Sequence, residues 1–110
     1  MIKIIDKKSE GKKYTDAIAA LFRIYRINGE LSETEEETIK EFSKIVTAIK
    51  SDNLYKEDCL KKEIVKAHLL QGEPLNLLAE RLCYSTSYVY STHQAIIKDF
   101  AMLIFKVVIL

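Results

Sequence analysis

Apolar residues recur at three- and four-residue intervals along most of this chain, the spacing that lines one face of an α-helix. The first stripe is Ile18, Leu21, Phe22 and Tyr25. Thr15 or Asp16 stands where a helix start is capped, and Asn28-Gly29 stands where a left-handed residue closes a helix. A second stripe, Ile39, Phe42, Val46 and Ile49, follows Ser32-Glu33-Thr34-Glu35. In that tetrapeptide the Ser and the Glu three residues on satisfy each other's free backbone donors. The acidic start (Glu33, Glu35, Glu36, Glu37) and basic end (Lys44, Lys50) of this segment suit the helix dipole. Ser51-Asp52-Asn53 reads as a loop. A third helix is predicted over about 55–71, with Leu60, Ile64, Ala67 and His68 facing inward, and Gly72-Glu73-Pro74 stops it.

The remaining pattern is more specific. Leu75, Leu78, Ala79 and Leu82 share a face of a short helix that Pro74 introduces. Cys83-Tyr84 follows, and Ser85 is placed to cap a long helix carrying Val89, Ile96, Phe100 and Leu103 inward. Two helices joined by so tight a turn make the unit whose second member enters a major groove. Ala79 is small where the second helix must approach, while Leu78, Leu82, Tyr84 and Val89 fill the wedge between the two. Such turns usually carry Gly where this chain has Cys83, so the backbone there must avoid the left-handed region or accept strain. The sequence therefore predicts an all-α fold of about five helices. A basic arm and helical pair occupy residues 1–53, and a helix-turn-helix domain with an apolar C-terminal tail occupies 54–110.

Composition narrows the function. The chain has 110 residues, 48% hydrophobic and 30% charged, and one proline, proportions that suit a packed helical globule rather than a disordered chain. No run reaches the roughly 18–20 apolar residues that span a bilayer. The N-terminus lacks a signal peptide's apolar core, so a cytoplasmic location is expected. Cys59 and Cys83 have no Cys or His at a zinc spacing. They read as buried reduced thiols, and no metal or cofactor is expected. Cys83 and His93 have no evident carboxylate to orient them as nucleophile and base, so the chain does not read as an enzyme. Residues 1–13 read as a frayed terminus; a short strand over Ile2–Ile5 and a basic arm touching DNA are the alternatives. The net charge of +1 is low for a DNA-binding protein, whose affinity draws on phosphate neutralisation.

The run LAERLCYSTSYVYSTHQAIIKDFA resembles the C-terminal helix-turn-helix of ArpU- and RinA-type phage late-gene regulators and, more distantly, region four of sigma factors. Leu78-Ala79, Leu82, Tyr84-Ser85, Tyr88, Tyr90, Ala95 and Phe100-Ala101 carry the resemblance, which covers about residues 57–105. It implies a phage or prophage transcription regulator that binds double-stranded DNA. In that register Thr86, Ser87, Tyr90, Ser91 and Gln94 face the groove, with Lys98 one turn further. Gln94 suits a bidentate contact to adenine, while Arg81 and Lys98 suit phosphates. Ser85 belongs to the same surface as the cap. The competing reading of these positions is a solvated helix face. Competing functions are a protein-interaction module that contacts RNA polymerase or another regulator, and a phage packaging component. The tail from Ala101 to Leu110 must be covered, either by the N-terminal helix pair or by a homodimer contact through Phe105, Val107 and Ile109.

Overall fold

The computed structural model describes residues 2–6, 10–29 and 37–110. In chain order these form β1 (Lys3–Ile5), α1 (Lys12–Asn28), α2 (Glu37–Lys50), α3 (Cys59–Glu63), α4 (Leu75–Leu82), α5 (Thr86–Phe105) and β2 (Val107–Ile109). A π-helical segment, Ile64–Leu70, runs on directly from α3. Among the described residues the fold is all-α with five helices, as the periodicity predicts, and carries one small two-stranded sheet. The capping box at Ser32–Glu35 lies outside the described residues.

The stripes meet in one buried cluster that draws on both of the segments distinguished in the sequence. At its centre Phe22 of α1 touches Phe42 of α2, edge to face at 4.9 Å between ring centroids, and Phe100 of α5 at 5.7 Å. All three rings are buried, each contributing roughly 2–3 kcal/mol by leaving water. Two predicted faces shift. On α2, Ile45 joins Phe42, Val46 and Ile49 in the core, so the apolar stripe is broader than the predicted one. On α5 the buried set continues through Ile97, Phe100, Ala101 and Ile104, whereas Leu103 is exposed. The four-residue step from Phe100 points Ile104 inward and turns Leu103 to solvent.

Several boundaries also differ. α1 begins at Lys12, ahead of both expected caps, and the Thr15 hydroxyl donates back to the Lys12 carbonyl at 3.0 Å. The amides of Glu10 and Gly11 share the Asp6 carbonyl at 3.2 and 2.8 Å, which leads the chain into the helix. Gly11 fits closely there: a Cβ would lie 3.0 Å from Ile109 Cγ2 and 3.2 Å from the Asp6 carbonyl oxygen. Gly29, at φ 77°, closes α1 as expected. The third helix starts at Cys59, later than the predicted 55, because Asp58 caps it by accepting from the Lys61 amide at 3.0 Å. Both cysteines are exposed, contrary to the expectation of burial: Cys59 opens α3 and Cys83 lies in a turn.

The two chain ends pair with each other. β1 and β2 run parallel, with Lys3, Ile4 and Ile5 opposite Val107, Val108 and Ile109. Lys106, in the left-handed conformation, ends α5 and accepts from the Lys3 amide at 2.9 Å. Parallel strands need a long crossover, and here the whole helical body supplies it. Ile5, Val107 and Ile109 point into the core, and Phe105 packs half-buried against Tyr14 at 5.3 Å. The N-terminal segment 3–5 is thus a strand rather than a frayed end. The side chains expected to form a dimer are occupied within the chain. Among the described residues no helix is long and apolar enough to cross a membrane.

Candidate nucleic-acid interface

α4 and α5 build the helix-turn-helix from local rules. Pro74 stands at the head of α4 with an extended ψ of 141°, and the Leu78 amide closes the first turn on its carbonyl at 3.0 Å. The helix ends when Cys83 enters the left-handed region at φ 62°, ψ 35°. The Tyr84 amide then reaches back to Ala79 at 3.0 Å and the Cys83 amide to Glu80 at 3.2 Å, the paired bonds of a Schellman closure. Cys83 takes the position that usually falls to glycine, at a cost of about 1 kcal/mol. Ser85, extended, then caps α5 by accepting from the Tyr88 amide at 3.2 Å.

The wedge between the helices holds Leu78, Ala79 and Val89, all essentially inaccessible, with Leu82 half-buried. Tyr84, expected in that wedge, is 44% exposed instead. Once the Schellman turn is made, Tyr84 projects outward, and its ring meets Tyr88 at 5.6 Å.

Beyond the cap, the first turns of α5 project from the body. Thr86, Ser87, Tyr90, Ser91 and Gln94 are exposed, and Lys98 is half-buried. The predicted reading residues therefore share one accessible flank, and Tyr88, which the sequence reading left out of it, stands beside them at 52% exposure. Its signal was available: a third tyrosine within Tyr84–Tyr90 that no apolar stripe uses. The Ser91 and Thr92 hydroxyls both donate to the Tyr88 carbonyl, at 3.1 and 2.8 Å, so their oxygens keep acceptor capacity toward a partner.

Arg81 is placed differently from its expected role. Its guanidinium donates to both carboxylate oxygens of Glu73, at 3.0 and 2.9 Å, and to Glu63 at 3.3 Å. The hydrogen bonds from Glu73 and Glu63 raise the guanidinium's pKa, and Arg81 in turn holds the Glu73 carboxyl below its ordinary value. Two carboxylates already oppose its charge, so a phosphate approaching Arg81 meets their repulsion. Lys98 has no carboxylate partner among the described residues. The neighbouring Asp99 accepts from the Tyr55 hydroxyl at 2.7 Å, and burial together with that bond raises the tyrosine's pKa.

Behind this flank, α1, the π-helical segment and α5 enclose a groove of about 670 Å³, with Gln94 on its wall. His68 and His93 meet there edge to face at 5.0 Å. Burial, and then the charge of His68, pushes His93 down to about 4, so His93 is neutral near pH 7. Nothing in the linear pattern announced this groove, because its lining comes from three separate segments. Among the described residues, no three His, Cys, Asp or Glu side chains gather to hold a metal ion. No protein-family model matches the chain, and no curated protein or solved structure is significantly similar to it.

Proposed function

We propose that this chain is a sequence-specific, double-stranded DNA-binding transcription regulator of the phage or prophage kind, inserting α5 from Thr86 onward into the major groove. The observation that carries the reading is the turn: Cys83 left-handed, Ser85 capping, Ala79 buried under α5, and the first turns of α5 projecting with a hydrogen-bonding face. A helix about 10–12 Å across matches a groove about 12 Å wide. Ser87, Tyr90, Ser91 and Gln94 supply donors and acceptors for base edges, and Lys98 together with the amide end of α5 suits phosphate.

A second reading, a protein-interaction module toward RNA polymerase or another regulator, is favoured by one feature. Arg81 is neutralised by Glu63 and Glu73, which leaves Tyr84, Tyr88 and Tyr90 as the largest exposed groups on this end. Exposed aromatic rings of this kind are common in protein interfaces.

Selection of bound fragments from a random duplex library separates the two readings. The wild type is compared with a Ser87→Glu, Tyr90→Ala double variant, whose changes lie on the exposed flank and outside the groove's lining. An enriched motif that the variant loses, with binding that weakens steeply as salt rises, supports groove readout. No enrichment from folded protein at low salt refutes it and turns the search to a protein partner.

A further inference from the structure

The groove between α1, the π-helical segment and α5 is built like a ligand site rather than a packing defect. Its volume of about 670 Å³ lies within the roughly 300–1,000 Å³ usual for small-molecule pockets. The floor is apolar: Phe22 closes it from beneath, fully buried, while Ala19, Leu69 and Ile97 line it and Ala19 is exposed to the groove. Polar groups stand above that floor at defined places. His68 Nδ1 lies 2.8 Å from the Glu73 carbonyl, an oxygen that can only accept, so Nδ1 carries a proton and Nε2 is the ring's remaining nitrogen. Arg26 donates through Nη1 to the Leu69 carbonyl at 2.8 Å, which anchors its guanidinium at one end of the groove. That single bond leaves most of the guanidinium's donors free. Among the described residues no carboxylate pairs with Arg26. The other lining cation, Lys12, has Asp16 one turn along α1 on the same groove wall. The positive end is therefore Arg26, roughly 20 Å from Lys12 at about 1.5 Å per residue.

The wall opposite α1 departs from regular geometry. Residues 64–70 coil with i to i+5 bonds, an arrangement rare in proteins and frequent at functional sites. This stretch contributes His68, whose ring the Glu73 carbonyl orients, and Leu69, whose carbonyl holds Arg26.

We infer that this groove binds a small amphipathic carboxylic acid, its aryl or branched-alkyl body lying against Ala19, Leu69 and Ile97 and its carboxylate paired with Arg26. The charge complementarity selects the class. A guanidinium anchored by one bond, with no carboxylate partner among the described residues, beside an apolar floor favours one anionic head on an apolar body, and the fork of Arg suits a planar carboxylate. The neutral His93 adds no second positive charge that would call for a dianion. Gln94, on the proposed reading face, also lines the groove, so an occupied groove touches the helix assigned to recognition. Binding itself is independent of whether that helix reads DNA.

The test uses the full chain with hydrocinnamate and isocaproate as probes, each beside its uncharged primary amide, followed by amide-proton NMR titration. Two variants accompany the wild type: Arg26→Gln, and Ala19→Trp, which fills the groove from an exposed position on α1. Circular dichroism confirms that both are folded. The expected result is saturable shifts at Ala19, Leu69 and Ile97, with at least one acid binding roughly tenfold more tightly than its amide. Arg26→Gln should bring that acid to the level of its amide, and Ala19→Trp should abolish both. Equal binding of acid and amide by the wild type overturns the assignment of the anion. Shifts that persist in Ala19→Trp, or no binding of either acid up to about 10 mM, overturn the site.

Discussion

The left-handed residue of the turn can be tested on its own. Cys83 sits at φ 62°, ψ 35° with its side chain exposed, so replacing it changes backbone strain with little loss of packing. An L-residue there costs about 1–2 kcal/mol relative to a permissive one. Glycine relieves that strain but enlarges the conformational freedom of the unfolded chain, which takes back roughly 0.4–1 kcal/mol. Cys83→Gly should therefore raise stability by about 0.5 kcal/mol. Valine brings a β-branch into the same conformation, where such residues are outliers, and Cys83→Val should lose about 1.5 kcal/mol. The informative quantity is the Gly-to-Val difference of about 2 kcal/mol, because neither side chain has a packing role to confuse it. Urea denaturation followed by circular dichroism measures it directly, and in thermal unfolding it corresponds to a gap of roughly 8 °C. If Val matches Gly within about 0.5 kcal/mol, residue 83 is not held in the left-handed region. The Schellman closure, and with it the geometry that aims α5, would then be wrong.

Other consequences follow from particular contacts. Gly11→Ala should cost about 1–2 kcal/mol in denaturant unfolding, since the added Cβ meets a backbone oxygen at 3.2 Å as well as Ile109; an unchanged midpoint would deny the close approach of α1 to β2. Acidification should weaken the fold through His93, whose native value near 4 lies below its ordinary 6.5. Within that window the unfolded chain binds the proton and the native chain does not, so this contribution is full above about pH 6.5 and lost as pH falls toward 4. Allowing for partial solvent screening, it is on the order of 2 kcal/mol. His93→Gln should flatten that part of the stability curve, and an identical curve would refute the shift. On duplex DNA, Lys98→Gln should reduce the salt slope by about one, whereas Arg81→Gln should leave it nearly unchanged because Glu63 and Glu73 already hold that charge. Equal effects of the two variants would show that the glutamates release Arg81 on binding.

The sequence by itself determined whatever is settled within a few residues. The core stripes of α1, α2 and α4, the closure of α1 at Gly29 and the cap at Ser85 follow from backbone hydrogen bonding and helical period, which local residues dictate. The wedge of Leu78, Ala79 and Val89 was legible for the same reason, as was the flank of Thr86, Ser87, Tyr90, Ser91 and Gln94. Tertiary structure decided the rest. A parallel pairing of residues 3–5 with 107–109 is stable only after the helical body has brought the ends together, and that pairing buries Val107 and Ile109 within the chain. Arg81 looked free because its partner Glu63 lies on another helix and Glu73 in the loop before α4. The exposure of Leu103 and Tyr84 depended on which face the neighbouring helices covered, and no residue near 64–70 announced the π-helical coil. The groove of His68, His93 and Arg26 exists only where three separate segments converge, so no reading along the chain could place it. Local patterns specify elements, but contacts between distant segments are fixed only by the closure of the whole core, where burial outweighs local preference.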